Sequence, residues 1–169
     1  MAKTATYSLI QSQTLGSATA SVTFSSIPQG YTDLILVISG RVSSTTGNNN
    51  SGLRFNGDSG TNYSMTRIAG DGTSATSDRV ANTSYAGWAL VANSSVSEFT
   101  PVIYNIQDYS NSTTYKTIMG RGNWASLIVT AVTSLWRSTS AITSIEVIQT
   151  GTNWVTGSNF KLYGIEAYK

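Results

Sequence analysis

The chain has neither cysteine nor histidine. Without cysteine there are no disulfides, no thiolate-bound zinc and no cysteine nucleophile. Without histidine it lacks the commonest general base and metal ligand near neutral pH. Ser-His-Asp hydrolysis, HExxH zinc chemistry and most non-haem iron sites are thereby excluded. Charge is sparse as well: ten Lys and Arg stand against eight Asp and Glu, for a net charge of +2. The basic residues are scattered, with no two in any five-residue window, so the clustered positive charge of a nucleic-acid groove is missing. The longest apolar run, Leu34 to Ile38, is far too short to span a bilayer. The opening "MAKTATYSLIQ" has no apolar h-region and does not read as a signal peptide.

What the chain does have is hydroxyl and amide side chains. Its 26 Ser, 24 Thr and 12 Asn make up over a third of its 169 residues. Ser and Thr hydroxyls compete for backbone groups, which favours strands and turns over helices. Five Asn-x-Ser/Thr sequons, at Asn49, Asn62, Asn82, Asn93 and Asn111, follow from that composition. The length fits one domain and allows roughly 70% of the unfolded surface to be buried.

No helical periodicity survives a count along the chain, whereas strand patterns recur throughout. Residues 5–13 alternate around Tyr7 and Leu9, and 19–27 place Val22 and Phe24 on one face. Segment 32–42 is continuously apolar from Leu34 to Ile38, the pattern of a central strand buried on both faces. "GLRFNG" and "NYSMTRI" read as the next pair, a hairpin closed by Asn56-Gly57. Residues 70–95 read as a long excursion with one short strand at 85–92. Segment 99–109 puts Val102, Tyr104 and Ile106 on one face, with Pro101 confined to the strand's start or an edge. Segments 114–122, 124–136, 141–150 and 158–168 complete the set. In 124–136, Leu127, Val129 and Ala131 alternate with Ile128, Thr130 and Val132. In 141–150, Ile145, Val147 and Gln149 are assigned inward, leaving Glu146 outward. Eight to ten strands at short intervals define an all-β, antiparallel sandwich or barrel, with a single domain over 1–169 and a short N-terminal arm at about 1–6.

The chemistry open to such a chain is limited. Its acids are Asp33, Asp58, Asp71, Asp78, Glu98, Asp108, Glu146 and Glu166. A glycosidase needs two carboxylates across one bond, and the sequence leaves open whether Asp58 meets Asp71 or Asp108. "DGTSATSD" (71–78) has an acid at each end but lacks the EF-hand pattern, and a turn role for Asp58 and Asp71 competes with calcium ligation. Among seventeen aromatics, Trp88, Trp124, Trp136 and Trp154 are candidates for sugar stacking, with core filling as the alternative. The glycines of 57–72 lack the phosphate-loop pattern and precede no helix. No catalytic, cofactor-binding or metal residues are assigned, and no cofactor is expected.

Four motifs occur in order: F-x-x-I-P-x-x-Y-x-D-L from Phe24, R-F-N-G-D from Arg54, W-R-S-x-x-A-I-T-S-I from Trp136 and x-F-x-L-Y-G-I around Phe160. In combination the chain resembles a family of small virion structural proteins of tailed bacteriophages, including those of cyanobacteria, over nearly all its length except 70–98. The resemblance implies a jelly-roll-like sandwich without catalytic residues, made in the host cytoplasm and carried on the virion. The implied role is capsid decoration (cement), with the major capsid protein or other virion proteins as partners, as a homo-oligomer (trimer or dimer). The alternative is a tail-fibre module recognising a host surface glycan. Neither nucleic acid nor membrane is expected as a partner.

Overall fold

The structure, a computed structural model, describes residues 6–47, 49–124 and 128–166. The fold is the expected all-β antiparallel sandwich, with twelve strands rather than eight to ten. They are β1 (Tyr7–Thr14), β2 (Ser21–Phe24), β3 (Asp33–Gly40), β4 (Asn49–Phe55), β5 (Tyr63–Gly70), β6 (Ala75–Thr83), β7 (Ala86–Val91), β8 (Thr100–Ile106), β9 (Lys116–Trp124), β10 (Ile128–Trp136), β11 (Ile145–Ile148) and β12 (Asn159–Ile165). One sheet has the order β1-β12-β3-β8-β9-β10-β5-β6 and the other β2-β11-β4-β7. Only the β5–β6, β8–β9 and β9–β10 connections stay within a sheet. Every other connection crosses between the two layers, which divide eight strands against four. Residues 1–5 of the expected N-terminal arm, and Leu127, lie outside the described residues. Thr6 accepts a hydrogen bond from the Glu166 amide at 3.3 Å.

Alternation explains which side chains enter the core. Leu34, Leu36 and Ile38 of β3, Val102, Tyr104 and Ile106 of β8, and Val132 and Trp136 of β10 point inward and are buried. They meet Val22, Phe24, Leu53, Phe55, Ile145 and Val147 from the smaller sheet. Ile145 and Val147 face inward as expected. Glu146 is half-buried on the other side, 3.6 Å from Arg54, its neighbour in register on β4. Pro101 is the second residue of β8, near its start.

Three expectations are corrected. The 51–65 stretch is not a hairpin, because β4 belongs to the smaller sheet and β5 to the larger. Asn56 (φ 54°) and Gly57 (φ 70°) do form the tight turn that Asn-Gly predicts. That turn steers the chain across the sandwich instead of back along the same sheet. The 70–95 excursion holds two strands, β6 paired to β5 and β7 paired to β4. Third, β3 is buried on one face only, with Ile35 and Val37 on the other and partly exposed.

Strand β7 is an edge of the smaller sheet, yet its free side is not open. Hydroxyls of the larger sheet satisfy its outward amides: Gly87 N–H donates to Ser134 Oγ (3.1 Å) and Leu90 to Thr130 Oγ1 (3.3 Å), while Tyr104 Oη bridges Ala89 and Ser51 at the β4–β7 bulge. The next free amide, Ala92, donates to Thr100 Oγ1 at 2.9 Å. This approach requires Gly122, where an added Cβ would lie 2.5 Å from the Leu90 carbonyl oxygen. The hydroxyls stand in for a missing neighbour strand and blunt an edge that would otherwise template pairing.

Candidate functional site

The acids do not converge. Asp58 Oδ1 accepts from the Gly60 amide (2.9 Å), and both carboxylate oxygens accept from Asn62 Nδ2. Asp58 Oδ2 also accepts from Trp136 Nε1 at 2.7 Å. Burial pushes this carboxyl up, but the hydrogen bonds from Trp136, Asn62 and Gly60 outweigh it and hold it below its ordinary value of 3.8. Asp71 caps its own turn through the Ser74 and Thr73 amides, and those bonds lower its pKa. Asp78 pairs with Arg67 at 2.8 Å, Glu146 with Arg54, Asp33 accepts from the Asp108 amide, and Glu98 from Ser97 Oγ. Asp108 takes the left-handed conformation of a turn residue (φ 48°), and its carbonyl accepts from the Asn111 amide. Glu166 is exposed beyond β12. Among the described residues, no three acids are grouped as a metal site would require.

Three of the four tryptophans are engaged in packing. Trp136 and Trp154 are core residues, Trp154 completely enclosed. Trp88 packs against the core and has the Arg67 guanidinium 4.1 Å from its ring centroid, so its ring face is occupied. Trp124 ends β9 and is half-buried.

The motif residues meet in structural joints. Asn56 Oδ1 accepts from the Thr143 and Ser144 amides (2.8 and 3.1 Å), while its Nδ2 donates to the Ala141 carbonyl (2.8 Å). R-F-N-G-D and W-R-S-x-x-A-I-T-S-I are therefore bound to each other twice, at Asn56 and at Asp58. Phe55, Tyr63 and Trp136 stack beside this joint, with Phe55 and Trp136 centroids 5.4 Å apart. At the opposite end of the motif set, a Cβ at Gly164 of β12 would collide with the ring of Tyr31, in the segment that enters β3.

The surface that stands out is the outer face of the eight-stranded sheet. Val37, Ile103, Arg121, Ala131 and Ile68 lie side by side across β3, β8, β9, β10 and β5. The adjacent row runs from Tyr163 through Ile35, Asn105 and Met119 to Thr133. Val129 and Ile68 are each 62% exposed and Met119 is 51% exposed, so this apolar face is covered by no other part of the described chain. A depression of about 250 Å³ opens in it among Pro101, Ile103, Val129 and Arg121. Its sequence signal was the second apolar phase of the strands: Ile35 and Val37 in β3, and Val129 in β10. That signal implies a covered face, but it does not say that the cover lies outside the domain.

No protein-family model matches the chain, and no curated protein sequence matches it.

Proposed function

We propose that the chain is a non-enzymatic virion structural protein, a capsid decoration (cement) protein that binds and stabilises the assembled phage head. The observation that carries this reading is the uncovered apolar face of the eight-stranded sheet. Strand β3 has the composition of a strand buried on both sides, while the described residues cover one. Eight strands at about 4.8 Å spacing and about seven residues long present on the order of 900 Å². A stable interface takes about 800 Å² from each partner. The scattered acids and the absence of histidine and cysteine support a binding role over a catalytic one. A protein that binds only the assembled lattice stabilises it by mass action, and many copies make a modest contact effective. Homo-oligomerisation, as trimer or dimer, and the major capsid protein as partner belong to the same proposal.

The test compares purified particles with and without the protein. Bound protein on the head and a raised temperature of genome release are expected. Equal temperatures with no protein on the particle would refute the role. The alternative, a tail-fibre module for host carbohydrate, draws on Tyr115, which is 55% exposed before β9. Binding of host surface polysaccharide on a glycan array, lost in Tyr115→Ala, would favour it.

A further inference from the structure

We propose that the eight-stranded face receives a protein partner that inserts an apolar side chain between Pro101, Ile103 and Val129 and sets a carboxylate against Arg121. The inference rests on the docking-face reading above and adds the partner's chemistry. Two features of one depression carry it.

The first is size and lining. At about 250 Å³ the depression falls below the roughly 300–1,000 Å³ of small-molecule pockets. It matches one or two side chains, and Pro101, Ile103 and Val129 make its contact surface apolar.

The second is charge. The ion pairs among the described residues are Arg54–Glu146 and Arg67–Asp78, and Arg121 takes part in neither. Arg121 is exposed at the rim of the depression, and Lys161 lies on the same row of the sheet. Arg79 lies farther out on β6. The one carboxylate aligned with this face, Asp33, sits at its end row and is engaged by the Asp108 amide at 2.7 Å. A second copy docking face to face would set Arg121, Lys161 and Arg79 of each face against a single acid, Asp33, of the other. A partner carrying Asp or Glu beside its apolar anchor is complementary, and a guanidinium takes a carboxylate in bidentate geometry.

The test is selection of a random-peptide display library on the intact chain. Enriched peptides are expected to pair an aliphatic or aromatic residue with a neighbouring Asp or Glu. Their affinity should fall about tenfold or more for Val129→Asp and for Arg121→Glu. Replacing the peptide's acid by Lys should recover binding to Arg121→Glu. Both positions are exposed, and an unchanged thermal transition confirms that each variant is folded. The proposal is overturned if no peptide is enriched, if enriched peptides lack acids, or if Arg121→Glu binds them unchanged. Self-association that Val129→Asp abolishes would assign the face to a second copy and also overturn it. If charge exchange succeeds while particles lack the protein, the virion role falls and the partner chemistry stands. If particles carry the protein and selection fails, decoration stands and the contact lies elsewhere.

Discussion

Trp136 Nε1 donates a hydrogen bond to Asp58 Oδ2 at 2.7 Å, joining the end of β10 to the turn that follows β4. The two residues are 78 positions apart in the chain and belong to opposite layers of the sandwich. Asp58 is the acid that most resembled an active-site residue, and the indole turns it into a clamp. Tyr63 completes the joint: its hydroxyl donates to the Asp58 carbonyl (3.0 Å) and accepts from the Phe55 amide (3.1 Å).

Trp136→Phe removes the donor and also trims a buried ring, which adds a packing cost that does not depend on pH. The lost hydrogen bond should account for about 1.5 kcal/mol at neutral pH, the usual net worth of a hydrogen bond to a charged group. The loss has a pH signature. Asp58 is held below 3.8 when folded, so its contribution is present above that value and disappears as pH falls through the lower folded value. Urea unfolding across the acid range should show the gap between wild type and variant narrowing below about pH 4 to the packing cost. A gap that stays constant into strong acid would show that the cost is packing alone.

Asn56→Gly separates turn geometry from side-chain bonding. Glycine accepts the positive φ freely but cannot reach residues 141–144. A loss of about 1–2 kcal/mol is expected in chemical denaturation. Asn56→Ala should lose more, because it also strains the backbone. Wild-type stability in Asn56→Gly would mean that the cross-layer bonds contribute nothing.

The hydroxyls capping β7 are testable at single amides. Thr130→Val leaves the Leu90 N–H without its acceptor, and Ser134→Ala does the same to Gly87. Each should cost about 1–3 kcal/mol, the penalty of an unpaired buried group. Hydrogen exchange should accelerate at Leu90 in the first variant and at Gly87 in the second. Uniform acceleration across the sandwich would argue against local capping.

Alkaline stability should be limited by two tyrosines. Burial pushes the phenols of Tyr63 and Tyr104 from 10 up to about 12. Both are held neutral in the folded state, so their contribution is complete below about pH 10 and is lost as pH rises towards 12. Phenolate absorbance measured with the fold intact should show Tyr63 and Tyr104 ionising late, with Tyr109, also raised by burial, displaced in the same direction. Tyr104→Phe should flatten the alkaline decline, while its neutral-pH stability falls because the Ala89 amide and Ser51 lose their partner.

Much of the fold was readable from local pattern. The alternation of Val102, Tyr104 and Ile106 set the inward face of β8, and Ile145 and Val147 did so for β11. Asn56-Gly57 announced its turn because few other residues accept positive φ at both positions. The partners of that turn were not readable. Which sheet β5 joins depends on pairing with β10, a strand whose paired residues lie 59 to 73 positions farther along. The hydroxyls of Thr130 and Ser134 looked like ordinary strand composition, and nothing local marks them as acceptors for β7. Trp154 sits in a turn-rich segment typical of a surface loop. It is enclosed because bridges to Thr19 and Val42 draw that segment into the sandwich.

By itself the sequence determined that this is a β protein without histidine or cysteine chemistry, because composition and period-two patterning act residue by residue. It also determined that the strands carry more apolar faces than one core requires. Only the tertiary structure decided which faces the chain covers for itself. Burial is a relation between distant segments: β4, β7 and β11 cap one side of the large sheet, and no described element reaches the other. Ile35, Val37, Ile103, Met119 and Val129 thus remain on the surface beside Arg121.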